Sequence, residues 1–262
     1  MNDLLDELLA DLALEGLELR EVVAGLSETG WRTATPAEGW DVATQIAHLA
    51  WTDEAALAAA TDEAAWNELV SEALDDPEGF VGVSALALAT MPSTDLLTMW
   101  DEGRIALVEA LRGYPEGARM PWFGPPMSPT SMATARLMET WAHGLDVRDG
   151  LGLPSTPTDR IRHVCHLGVR TRGFAYLVHS QQAPAAEPRL ELTAPSGATW
   201  TWGPEDAAQR ITGPAWDFAR LVTQRVHIDD TDLVAEGPDA AYWLTIAQAF
   251  AGPPGGGREA AR

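Results

Sequence analysis

The first 26 residues alternate apolar and acidic positions at helical spacing. Leu4, Leu5, Leu8, Leu9, Leu12, Leu14 and Leu17 recur at intervals of three and four, with acids between them. That pattern predicts one long amphipathic helix over residues 2–26. Gly30, Pro36 and Gly39 break the next stretch into a loop. From Asp41 to about Ala60, Ala, Ile and Leu return as a second helix, with Asp41 or Thr44 as its cap. Residues 62–74 read as a short helix, ended by Asp75-Asp76-Pro77-Glu78-Gly79. Residues 93–112 form a third long helix, with Ser93 as N-cap and Gly113 as its stop.

Residues 120–129 hold four prolines in ten positions. Such a segment has no regular element, and its apolar rings predict a loop folded back onto the body. A fourth long helix follows over 130–149, ending near Gly150 and Gly152. Pro154 and Pro157 mark a linker, and a helix over 158–180 begins at Thr158. Beyond Pro184 the period drops to two. Residues 189–194 and 198–203 read as strands joined through Pro195-Ser196-Gly197. A third strand over 208–212 runs into Gly213-Pro214. Helix 215–226, a short strand near 232–236 and helix 238–250 complete the chain. Three regions result: a helical bundle over 1–155, a helix with a small α+β domain over 156–252, and a disordered tail over 253–262.

Composition narrows the classes. A hydrophobic share of 46% is ordinary for a globular protein and supplies a core without disulfides. The single cysteine, Cys165, excludes an internal disulfide and a cysteine-rich metal site. A net charge of −22 repels phosphate backbones, so no nucleic-acid partner is expected. No apolar run reaches about 18 residues, so no membrane span is expected, and no basic leader precedes the first helix. The expected location is the cytoplasm and the expected partner a small-molecule substrate. Every basic residue is arginine, which fits GC-rich coding of the actinobacterial kind.

The chemistry concentrates on the fourth helix. Glu139, His143 and Asp146 stand at i, i+4 and i+7, on one face. A carboxylate and an imidazole one turn apart can share a metal ion; they can equally form an exposed hydrogen-bonded pair. Met138, Trp141 and Leu145 leave little of this helix solvated, and a metal would compensate a buried glutamate. On the second helix His48 sits in an apolar run, Ile46-Ala47-His48-Leu49, and by itself reads as a packed histidine. Joined to the other two it completes a His2Glu set with a fourth position open, the arrangement of catalytic zinc sites. Asp53 and Asp146 are candidates to accept hydrogen bonds from the ligating imidazoles, or simply to solvate helix surfaces. Trp40, Trp51, Trp122, Phe123 and Trp141 are candidates for pocket walls, with loop 121–129 as the rim.

The segment Gly39-Trp40-Asp41-Val42-Ala43-Thr44-Gln45-Ile46-Ala47-His48-Leu49 resembles the second-helix motif of DinB-like metalloproteins. Closer still, the chain is similar to the mycothiol-dependent maleylpyruvate isomerases, over about residues 5–250. Arg210-Ile211-Thr212-Gly213-Pro214-Ala215 resembles that family's smaller C-terminal domain. The resemblance implies a DinB-like four-helix bundle with a smaller α+β domain, and a divalent metal, zinc, on His48, Glu139 and His143. It matches Arg225 to an arginine that holds an anionic substrate; a surface pairing of Arg225 with Asp229 or Asp230 is the alternative. It further implies mycothiol as cofactor and cis–trans isomerisation, in which a thiolate adds to a conjugated double bond, the bond rotates and the thiol leaves.

Two features depart from that pattern. The chain lacks a dense basic cluster for an anion such as maleylpyruvate, and its tryptophan-rich segments suit a larger aromatic ligand. An isomerase, a thiol transferase or a cyclase of secondary metabolism all fit, and so does a non-catalytic metal- or ligand-binding protein. Among the remaining candidates, His163 and His166 read as a partly exposed face rather than a second metal site. Cys165 reads as a small buried hydrophobe.

Overall fold

The computed structural model describes residues 3–77 and 79–261. Asn2, expected to begin the first helix, and Glu78, in the expected break, lie outside them. Two compact units result, Met1–Ser155 and Thr156–Arg262.

The first unit is a four-helix bundle. Its long helices are α1 (Asp3–Ala24), α3 (Val42–Thr61), α6 (Ser93–Gly113) and α7 (Pro129–Gly150). α3 packs on α6 and α7, and α1 packs on α7 and α6, which closes the ring. The leucines of α1 supply the inward stripe: Leu5, Leu8, Leu9, Leu12 and Leu19 are buried. Each such side chain contributes roughly 1.5–3 kcal/mol when fully buried. α3 is apolar nearly all round because it is the central helix; even Gln45 and His48 are buried there. Asp41 caps it, accepting from Thr44 N at 2.8 Å.

Short helices α2 (Glu28–Trp31), α4 (Glu63–Asp75) and α5 (Phe80–Leu88) fill the connections. Residues 28–31, read as loop, make one helical turn capped by Ser27. α5 was not expected; its nine residues are too few and too uniformly apolar to show a period, and packing on α3 holds them helical. Ser93 does not cap α6: Pro92 occupies that place, and the Ser93 hydroxyl donates to Glu28 instead. The proline-rich loop is pinned by paired backbone bonds between Met120 and Met127, at 2.9 and 3.0 Å.

The second unit carries a four-stranded sheet in the order β2-β1-β3-β4. β1 (Arg189–Thr193) and β2 (Thr199–Trp202) form the expected antiparallel hairpin. β3 (Arg210–Pro214) lies parallel to β1, and β4 (Val234–Glu236) pairs antiparallel with β3. Leu190, Leu192, Trp200 and Ile211 are the buried strand positions. The single helix expected over 158–180 is two: α8 (Ile161–Arg170) and α9 (Arg172–Val178). Thr171 separates them, its hydroxyl turned back to Leu167 O and across to Gln248 O. Arg160, not Thr158, stands at the start of α8. α10 (Ala215–Val222) ends before its expected limit because Gln224 takes φ 60°. A 3-10 turn (Ile228–Asp230) and α11 (Pro238–Ile246) follow. Beyond Ile246 the described residues form no helix or strand, and Ala261 N donates to Asp230 Oδ2 at 2.7 Å.

Candidate metal centre

α3 and α7 face each other across the bundle and bring three side chains to one point. His48 Nε2 lies 3.1 Å from Glu139 Oε2, and His143 Nε2 lies 3.1 Å from the same oxygen. One ligand atom from each residue falls within 4.8 Å of the others. Helical spacing places His143 one turn after Glu139; the packing of α3 on α7 supplies His48. His48 is 8 % exposed, and the Glu139 side chain 22 %, so the point is recessed yet reachable.

A residue not singled out from the sequence controls the chemistry here. Gln45, one turn before His48, is fully buried, and its Oε1 meets His143 Nδ1. Its Nε2 donates to Thr35 Oγ1 at 2.8 Å, and Thr35 Oγ1 donates onward to Trp40 O at 3.1 Å. That chain orients the amide, so Nδ1 of His143 must be the nitrogen that carries hydrogen. Neutral His143 therefore turns an Nε2 lone pair toward the lone pairs of Glu139. Such a contact repels unless a cation, a proton or a metal ion, lies between. A glutamine buried among Val42, Ile46 and Leu49 was the sequence signal for it, because a buried amide demands partners.

Burial pushes the Glu139 carboxyl up. With a proton between His143 and Glu139, the hydrogen bonds and charges of His143 and His48 outweigh that and hold it well below the usual carboxylate range. His48 Nδ1 is buried and has no hydrogen-bond partner among the described residues. A cation-seeking carboxylate, two imidazoles converging on it and a fixed tautomer are the donor chemistry that a borderline divalent ion accepts.

The other expected residues divide. Trp40 stands against the site, its ring 5.5 Å from that of His48 and 5.9 Å from that of His143, nearly parallel to the latter. Trp51, Trp122 and Phe123 join a second aromatic group with Trp66 and Phe80; Phe123 lies 4.8 Å from Trp66 and 5.1 Å from Phe80. The proline-rich loop is thus folded back by its rings. Trp141 and Asp146 are buried on α7. Asp53 does not serve the imidazoles. Its carboxylate accepts from Arg136 Nε at 2.7 Å and Trp100 Nε1 at 3.2 Å, because both donors are buried beside it and need an acceptor.

In the second unit Arg225 follows α10, and its Nη1 donates to Thr223 O at 2.6 Å. His166 Nδ1 accepts from Trp202 Nε1 at 3.3 Å. Cys165 is buried and its thiol is pushed far up by that burial.

The fold and the cluster define a helical-bundle protein with a two-histidine, one-carboxylate centre. Residues 12–148 match the model of the mycothiol maleylpyruvate isomerase N-terminal domain, and the chain belongs to that family. Residues 184–236 match the model described as wyosine base formation. Uncharacterized proteins of two Mycobacterium tuberculosis strains, CDC 1551 / Oshkosh and H37Rv, are 54% identical over 249 residues, covering 95% of this chain and 97% of theirs. Crystal structures of a mycothiol-dependent maleylpyruvate isomerase, and of its histidine-to-alanine mutant, share the fold. They superpose with a TM-score of 0.60 at 17% identity over 90% of this chain and 95% of theirs. Among the described residues, no helix is long and apolar enough to cross a membrane.

Proposed function

We propose that His48, Glu139 and His143 hold one divalent metal ion, zinc, and that the protein is an enzyme acting on a small organic molecule. The reaction class is isomerisation or thiol transfer, with mycothiol as the thiol. The observation that carries this reading is the convergence of both Nε2 atoms on Glu139 Oε2, with Gln45 setting the His143 tautomer. Family membership and the fold shared with a mycothiol-dependent isomerase support the reaction class.

A zinc ion held by these residues would supply Lewis-acid chemistry, favouring the thiolate form of a thiol and polarising a carbonyl. The chain's own residues do the rest. Glu139 stays ionised and offsets the ion's charge. Gln45 keeps the His143 ring turned so that Nε2, not Nδ1, faces the centre. Trp40 covers the imidazoles with an apolar face and limits water there. Asp53, bound to Arg136 and Trp100, does not close the set as a further ligand, which favours an open position over a structural one. Arg225 is our assignment for the group that holds a substrate carboxylate, through its planar fork.

Metal analysis of the purified protein tests the centre. About one ion per chain is expected, falling to near zero in His48→Ala and His143→Ala; equal content in all three sinks the assignment. Turnover of candidate unsaturated acids and electrophiles with and without mycothiol tests the reaction, and no thiol-dependent turnover would remove it.

A further inference from the structure

α1 and α6 leave a cavity of about 280 Å³ in the first unit. Leu12, Ile105 and Leu107 form its sides, and Trp100, Asp53 and Thr140 its inner end. None of the three metal-centre residues lines it. Gly16 lines it as well, and a Cβ there would make ordinary contact with the Arg104 side chain at 3.4 Å. An apolar cavity of roughly 150 Å³ accepts benzene, so this one has room for a molecule of about two fused rings.

Charge narrows the ligand. Asp53 is neutralised by Arg136 at 2.7 Å, and Arg104 by Asp101 at 2.8 Å. Arg112 pairs with Glu109 and, at 3.6 Å, with Asp6. Each charged side chain lining the cavity thus has an opposite charge beside it, which favours a neutral ligand over an ion. The polar end is nevertheless incomplete. Asp53 lines that end and accepts two hydrogen bonds, fewer than a carboxylate can. A hydroxyl, donor and acceptor in one group, suits that end.

We propose that this cavity binds a neutral, mostly apolar molecule of bicyclic size through a hydroxyl group placed at Asp53, at a site distinct from the metal centre.

Calorimetric titration of the full chain with 2-naphthol, and with naphthalene as the analogue lacking the hydroxyl, tests it. Saturable 1:1 binding of 2-naphthol is expected, with naphthalene weaker by about tenfold. Gly16→Leu, which fills the cavity, should weaken 2-naphthol by at least about tenfold while its circular dichroism stays native. His48→Ala should bind 2-naphthol as the parent does. No saturable heat up to about 1 mM, solvent alone occupying the cavity, overturns the proposal. Equal affinity for both probes overturns the role of the hydroxyl. That comparison needs no variant and stands even if Gly16→Leu fails to fold. Unchanged affinity in a folded Gly16→Leu, or loss of binding in His48→Ala, overturns the location.

Discussion

Gln45 orients His143 and holds nothing else in the centre, so its loss isolates the value of a fixed tautomer. Replacing Gln45 by Leu should lower zinc affinity by about 10–100-fold, read by competition with a chelating dye, with helicity unchanged. Glu139 gives a second test, through linkage in the metal-free protein. Its carboxyl is held well below the usual carboxylate range, so its contribution is complete above that range and is lost as pH falls through the lower folded value. Denaturant unfolding should therefore find Glu139→Gln less stable than the parent at pH 7, and the gap should shrink toward pH 3. A gap that stays constant would show that the histidines do not favour the ionised form. Cys165, buried with a raised thiol, should resist alkylation until the protein is unfolded. The Glu139 and His143 pair was legible as i and i+4 on one helix. His48 was not, because its partners lie 91 residues away and only the family resemblance joined them. The pairing of Asp53 with Arg136 was hidden for the same reason: the two are 83 residues apart, and sequence spacing carries no record of it.

Long elements carry enough periods to be read, and short ones borrow their conformation from what they pack against. α1, α3, α6 and α7 each present an inward face several turns long, so the pattern located them. α2 and α5 are too short for a period, and the break at Thr171 depends on a bond to Gln248 on a distant segment. The parallel pairing of β1 with β3 was equally hidden, since alternation marks a strand but not its neighbour. Two glycines show where elements approach closely. A Cβ on Gly168 of α8 would lie 2.8 Å from the Val222 methyls of α10, so Gly168→Ala should cost about 1–3 kcal/mol in thermal unfolding. A Cβ on Gly150 would lie 2.7 Å from Ala34 O and 3.2 Å from Thr35 Cα. Thr35 positions Gln45, so Gly150→Ala should reduce both stability and zinc affinity. A loss of stability alone would show that the loop yields without disturbing Gln45.

For the molecule as a whole, the division at Ser155 sorts the functional residues. His48, Glu139 and His143, the amide that orients His143 and the indole against the two imidazoles all belong to the first unit. Its core, from Leu19 and Val23 through Ile46 and Leu49 to Leu96, Trp100 and Val147, draws on residues of that unit alone. All three proposed ligands thus lie in the first unit, whereas the proposed role of Arg225 lies in the second. Residues 1–155 expressed alone should bind one zinc ion with an affinity within about tenfold of the full chain. The same fragment should show no thiol-dependent turnover, and Arg225→Ala in the full chain should raise KM for a carboxylate substrate while leaving metal content intact. A fragment that folds but loses zinc would mean that the second unit completes the centre, and the three-ligand assignment would then be too small. A fragment that turns substrate over at the full rate would remove Arg225 from the reaction and confine the chemistry to the bundle.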